Sequence, residues 1–407
     1  MKKLTAIMML AALVLSLFGC APAGAEDLMA GITPDKQASS GAVRGETAAA
    51  ADFGLRLFRA ALEEGNTSLS PLSVLYALAM TTGGAEEQTL DQMEQMLGMN
   101  TEEMDAFFGS YLAALDDRAG DLRLANAIWF TDDDRFTVNR DFLQRNADHY
   151  GADIFRMPLD ETAVRSVNDW VDEKTDGMIE KILDKAPENA VMYLVNALAF
   201  DAKWENIYYE HQVRKAEFTR ADGIKTEVDM MYSQEQAYLE DENATGFIKY
   251  YEGGDYAFVA LLPNEGVTLA DYLAGLTGES LLSLLSSPEQ VLVEAGLPKF
   301  ESEYSAELGD ILKGMGMTDA FDPVAADFSR LGKSTEGNIF ISHVIHKTFI
   351  SVAEEGTRAG AATLVVAAYG AAMIEQFKTV VLNRPFVYLI LDTHTELPLF
   401  IGTMMGK

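Results

Sequence analysis

The chain has 407 residues, more than one ordinary domain uses, and 48% of them are aliphatic or aromatic, ample for a large core. Its formal net charge of -32 repels phosphate backbones and anionic polysaccharides, which argues against nucleic acid and heparin-type polyanions as partners. With one cysteine, Cys20, the chain must hold together by packing, without an internal disulfide.

Residues 1–20 have a short basic start, an apolar run and then Leu-Phe-Gly-Cys, the layout of an export signal. Cys20 stands where a bacterial lipoprotein signal is cut and lipidated; Ala23-Gly24-Ala25 offers an ordinary cleavage site as the alternative. The expectation is an exported protein, tethered to the cell surface through lipid on Cys20 or freely secreted. Residues 21–46, rich in Ala, Gly, Ser and Pro, read as a flexible tether, and 47–407 as the folded body.

From Thr47 to Glu64, Phe53, Leu57, Phe58 and Leu62 recur at helical spacing. Helices are expected at Ser73–Met80, Thr89–Leu97 and Met104–Leu115. Strand-like segments then alternate with helices: LANAIWF, a helix over Val164–Leu183, VMYLVNALAF, and the hairpin-like KYYEGGDYAFVALLP with Gly253-Gly254 at its turn. The last third is mostly strands (VLVEAGLPKF, KTFISVAE, TVVLNRPFVYLILD, LPLFIGTM) around one helix near Ala306–Met315. Helices first and strands later, with apolar strands far apart in sequence, argue an α+β fold with large mixed sheets.

Catalytic and metal-binding patterns are missing from the sequence. His343-Val-Ile-His346 has an HxxH spacing, but in a strand these residues point to opposite faces and cannot share one ion; one is expected packed and the other exposed. There is no GxSxG elbow, HExxH, phosphate-cradling glycine loop or CxxC. Asp132-Asp133-Asp134 lacks the ligand spacing and sharp glycine of a calcium loop and reads as a solvated turn. Neither an enzyme, a metal site nor a cofactor is expected.

The stretch NTSLSPLSVLYALAMTTGGAEEQTLDQMEQMLG resembles the early segment of the serpins, and further matches follow in that family's order. They are VNDWVDEKTDGMIEKIL, LVNALAFDAKWE, LPKFESEYSAELGDILKGMGMTDAFDP, ADFS, HKTFISVAEEGT, LNRPFVYLILD and LPLFIGTM, covering about Thr47 to the C-terminus. The resemblance implies a single domain with three β-sheets, eight or nine helices and an exposed reactive loop, here EEGTRAGAATLVVAAYGAAM. It also implies suicide inhibition of a serine protease. The target cleaves the loop, is caught as an acyl-enzyme, and the loop enters the largest sheet as a new strand, a known case of strand addition.

The hinge residues carried over are Glu354, Glu355, Gly356, Thr357, Ala359, Ala361, Ala362 and Thr363. An inserted strand shows alternate residues to the core. One parity holds Thr357, Ala359, Ala361, Thr363, Val365 and Ala367, all small or β-branched; the other holds Arg358, so the one charge faces solvent. Serpins usually carry an acid at the position of Arg358. Gly356 is read as letting the chain turn into the sheet. The resemblance further marks Ser70, Ser73, Asn196 and His346 as a polar latch beneath the sheet, with Trp204 near the point of loop entry.

Two counts disagree on the scissile bond. The family's usual interval from Glu354 lands on Gly370, whereas counting back from Asn383-Arg384-Pro385-Phe386 lands near Ile374. The candidate region is Ala368, Tyr369, Gly370, Ala371, Ala372, Met373 and Ile374. No Lys or Arg lies between Arg358 and Lys378, so a trypsin-like pocket has nothing to grip. Small and medium apolar residues suit elastase-like pockets first, then chymotrypsin- or subtilisin-like ones. The resemblance thus implies a monomeric, membrane-tethered inhibitor that forms a covalent complex with its target protease. The alternative is a non-inhibitory binding or scaffold protein on the same fold.

Overall fold

The computed structural model describes residues 21–35, 44–115, 121–133, 136–186, 190–335, 337–357 and 377–406. Among them are nine α-helices and three sheets, of eight, nine and two strands. The expected α+β serpin architecture is therefore the one observed.

The eight-stranded sheet contains, in chain order, β1 (Glu26–Asp27), β2 (Leu122–Phe130), β3 (Asp153–Arg156), β4 (Met192–Phe200), β5 (Ala202–Lys203), β6 (Phe300–Glu307), β7 (His343–Val352) and β8 (Gly356–Thr357). They run β1-β3-β2-β4-β7-β8-β5, with β6 on the other side of β7. Period-two burial divides the central strands between two apolar clusters. Ile128, Phe130, Leu194, Leu198 and Val344 join the main core, whereas Trp129, Tyr193, Val195 and Ile345 join a second cluster under the helix Glu161–Lys174. That helix buries Val164, Val167, Trp170 and Val171 there. It is shorter than the 164–183 reading because Asp176 and Gly177 take left-handed backbone, φ 54° and 73°, and end the run.

The nine-stranded sheet is organised by the 16-residue strand Lys225–Glu240, which pairs with Val213–Thr219, Glu289–Pro298 and Ala244–Tyr250. The hairpin Ala244–Tyr250 to Tyr256–Pro263 turns at Gly253 and Gly254, both at positive φ. The helix Pro71–Thr82 is buried at every residue; Ser70 caps it and Pro71 opens it, where a missing N–H costs nothing. Two short helices, Leu269–Gly275 and Gly278–Leu285, occupy a stretch where the sequence reading expected none; each starts at a threonine cap.

The segment 21–46 is not a free tether over its first part. Glu26 and Asp27 pair with Arg156 and Phe155 at the edge of the eight-stranded sheet, and Arg156 bridges Glu26 at 2.6 Å. Ser166 donates to the Ala23 carbonyl, and Leu28, Met29 and Ile32 pack on the main core. Three aperiodic apolar residues in an Ala/Gly-rich stretch escape a compositional reading, yet they suffice to dock it over a sheet edge that would otherwise lie open. The first body helix begins at Arg44.

Candidate functional site

The strands β4 and β7 are parallel and registered from Tyr193–His343 to Ala197–Lys347. Their pairing then stops. Further along, β8 occupies the space between β7 and β5, with Thr357 opposite both Val352 and Ala202. The chain folds back there because Ala353 donates to the Gly356 carbonyl in a tight return from β7.

Both residues of β8 are buried, and each has a specific reason to fit. At Gly356 a Cβ would collide with the carbonyl oxygen of Ala202 and crowd the Lys203 backbone. The glycine is therefore required by close approach, and not by the turn conformation expected for it, since its φ is not positive. Thr357, assigned to the buried parity, is 0% exposed, and its hydroxyl lies 2.6 Å from the Tyr251 hydroxyl.

Tyr251 stacks on Trp204, ring centroids 4.4 Å apart and 16° from parallel. Trp204 binds the hinge twice more: its indole N–H donates to the Ala353 carbonyl at 2.8 Å and its amide to the Glu355 carbonyl at 2.9 Å. The Tyr208 amide donates to the Glu354 carbonyl at 2.8 Å. Lys299 bridges the Glu354 carboxylate at 2.8 Å. Burial opposes the charge on Glu354, but the hydrogen bond from Lys299, with its positive charge, outweighs it and leaves the pKa below the usual carboxylate range.

At the other end of the seam His346 is 0% exposed and lies opposite Asn196 in the register. Its Nε2 accepts the Ser70 amide at 3.1 Å, so Nδ1 carries the proton and donates to Asn196 Oδ1 at 2.7 Å. Burial pushes its pKa down to about 3, and the ring is neutral. Ser70 also accepts the Ser73 amide through its hydroxyl, and Thr348 donates to the Ser68 carbonyl. The latch residues therefore meet, except that Ser73 contributes its backbone amide while its hydroxyl has no partner among the described residues. Trp204 belongs to the loop-entry end and not to this cluster. The companion histidine, His343, is half-buried, less open than the exposed partner the sequence led one to expect.

Asn126, directly opposite Asn196 on β2, extends the polar line across the sheet. Lys299, Tyr251, Thr348 and Asn126 were not singled out in the sequence. Asn126 was the readable one, a polar residue inside LANAIWF; the others are ordinary until the fold brings them to the hinge. Arg358, Ala359, Ala361, Ala362, Thr363 and the whole region from Ala368 to Ile374 lie outside the described residues, as does Cys20.

The family profile described as serpin (serine protease inhibitor) matches residues 48–406. This chain belongs to the serpin family. Among solved structures it is similar to the thermophilic serpin tengpin in its native state, with 43% identity, a TM-score of 0.89, and coverage of 94% of this chain and 100% of that one. Among curated relatives it is 31% identical to a serpin-like protein of Thermococcus kodakarensis, over 84% of this chain and 80% of the relative. It is 32% identical to human serpin B8, over 86% and 96%. Membership carries the coarse functional statement at the level of the family: serpins are in general protease inhibitors and not enzymes.

Proposed function

We propose that this serpin is a suicide inhibitor of serine proteases with elastase-like specificity, trapping its target as an acyl-enzyme when the cleaved loop enters the eight-stranded sheet. The observation that carries this reading is the position of β8. Gly356 and Thr357 already stand as the first two residues of a strand between β7 and β5, at the end of a seam where β4 and β7 do not pair. The residues that would follow on the buried parity, Ala359, Ala361, Thr363, Val365 and Ala367, are small or β-branched and uncharged, which suits burial under a sheet.

The elastase preference rests on the absence of Lys and Arg from 359–377 and on the alanines around Tyr369 and Met373. Export, with an anchor on Cys20, is part of the same proposal. With residues 21–35 docked on the body, such an anchor would have little slack. Metabolic labelling with an alkyne fatty acid, in wild type and Cys20→Ala, tests the anchor.

The mechanism is tested by incubating the domain with neutrophil elastase, pancreatic elastase, chymotrypsin, subtilisin and trypsin and running denaturing gels. A covalent band near the summed masses is expected with the elastases and not with trypsin. If every protease cuts the loop and none is retained, the non-inhibitory binding or scaffold reading replaces this one.

A further inference from the structure

Behind the loop-entry end lies a buried ion pair that makes no contact with the hinge. Lys249, 1% exposed, sits on Ala244–Tyr250, and Glu235, 8% exposed, on Lys225–Glu240. The Lys249 ammonium donates to Glu235 Oε1 at 2.9 Å and to the Asn206 carbonyl at 3.0 Å. It also faces the Tyr208 ring, 4.5 Å from the centroid, with Trp204 at 5.4 Å. Two of its three N–H donors are thus hydrogen-bonded, and the charge also faces two aromatic rings. Glu235 Oε1 also accepts the Ser233 hydroxyl at 2.6 Å, and that hydroxyl lies 3.3 Å from the Tyr208 hydroxyl.

Among the described residues, the hydrogen bonds and ring contacts of Lys249 outside its own sheet are with the segment 204–209, through the Asn206 carbonyl and the two aromatic rings. That segment in turn supplies the three hydrogen bonds to Ala353, Glu354 and Glu355, and through Trp204 it backs the Tyr251 that meets Thr357. A buried ion pair is seldom more stabilising than an apolar pair of the same volume. What a charged pair supplies and an apolar one cannot is direction: a fixed carbonyl at 206 and a fixed ring at 208.

We infer that Lys249 and Glu235 are positioning residues for loop insertion. By orienting the segment 204–209, they set how firmly the hinge is held in the sheet before cleavage, and hence how a cleaved loop divides between trapping the protease and releasing it. The last clause rests on the inhibitory reading; the hold on the hinge does not.

Hydrogen exchange by mass spectrometry on the full protein, wild type against Glu235→Gln, Lys249→Met and the double variant Lys249→Met/Glu235→Leu, tests the hold. Glu235→Gln keeps shape and removes only charge, so it stands even if Lys249→Met folds poorly. Peptides covering 204–209 and 353–357 are expected to exchange about tenfold faster in each single variant, while the latch peptide 192–197 is unchanged. The double variant restores volume but not direction, so it should stay fast at 204–209. Wild-type exchange there in Glu235→Gln, or an increase spread evenly over the sheet, overturns the inference.

With an elastase that wild type traps, the singles should raise the number of inhibitor molecules consumed per protease without changing the association rate constant. A fall in that rate constant with an unchanged stoichiometry would also overturn it. The exchange measurement needs no protease, so a wild type that traps nothing sinks the inhibitory reading and leaves this one to exchange alone.

Discussion

At the latch end of the seam between β4 and β7 the closing groups are neutral and few: His346, Asn196 and the capped start of the helix at Ser70. At the loop-entry end they are aromatic and charged: Trp204, Tyr251 and Tyr208 on one side of the hinge, Lys299 beside Glu354, and Lys249 with Glu235 behind. The contrast follows from what each end has to do. The latch must part without stranding a charge in the core, whereas the entry must hold Gly356 and Thr357 in place between β7 and β5. Buried neutral hydrogen bonds can be exchanged for others at small net cost, but an unpaired buried charge cannot.

The largest expected effect tests whether the seam is built to take a strand. Cutting the loop between Ala367 and Ile374 should raise the melting temperature sharply, because the freed segment continues β8 and pairs its backbone on both sides, each bond contributing about 1 kcal/mol. Melting curves before and after limited proteolysis, with the cut mapped by mass spectrometry, measure it. A cleaved form that melts at or below the intact one breaks the comparison, since neither end would then be a gate.

Next is Thr357→Arg. The intact protein already buries Thr357, so the substitution acts before cleavage as well as after it. A buried unpaired guanidinium costs several kcal/mol, more than β8 can supply, and the hinge should leave the sheet. Gels should show clean cleavage with no covalent complex, and the amide of Trp204 should lose protection. Full trapping by this variant would place the residue on the wrong face.

The latch makes a pH prediction. Folded His346 has a pKa of about 3 against an ordinary 6.5. Between those values the unfolded chain binds a proton that the folded one does not, so this histidine's contribution is complete above pH 6.5. It falls with decreasing pH by about 1.4 kcal/mol per unit. Urea unfolding at pH 7, 6, 5 and 4 should therefore be steeper in pH for wild type than for His346→Gln, which starts less stable by about 1–3 kcal/mol because partners are left unsatisfied. Parallel pH curves would show that the imidazole is not sealed.

The smallest effect belongs to the entry end. Lys299→Met should cost under about 1 kcal/mol at pH 7, since the bridge to Glu354 is partly exposed. The lowered carboxylate pKa makes that contribution present above the ordinary carboxylate range and lost as pH falls below it. Melting of wild type and variant at pH 7 and 3 measures it; a difference that persists at pH 3 would mean that the lysine acts by packing.

The reach of the sequence differed between the two ends. His346, Asn196 and Ser70 were readable only through the serpin resemblance, which marks them by their places in HKTFISVAEEGT, LVNALAFDAKWE and NTSLSPLSV. Trp204 was readable in the same way, by its place in LVNALAFDAKWE. Lys249 and Glu235 were not, because a lysine beside a glycine turn in KYYEGG and a glutamate among polar residues in SQEQ look solvated until two strands bring them together. The docked segment 21–35 and the close approach that demands Gly356 were hidden for the same reason: each is defined by a partner more than a hundred residues away.

What the sequence by itself determined was many of the elements and their faces, because helix caps, turn glycines and the alternation along each strand are short-range physics. The strands Val213–Thr219 and Lys225–Glu240 and the helices Leu269–Gly275 and Gly278–Leu285 were not among them. The sequence also determined the small, uncharged character of the loop's buried parity from Thr357 to Ala367. What only the tertiary structure decided was where β4 and β7 cease to pair, that Gly356 and Thr357 stand between β7 and β5, and which charges lie behind them. Those depend on the register between segments such as Met192–Phe200 and His343–Val352, and register over such a separation is set by the packing of the whole core.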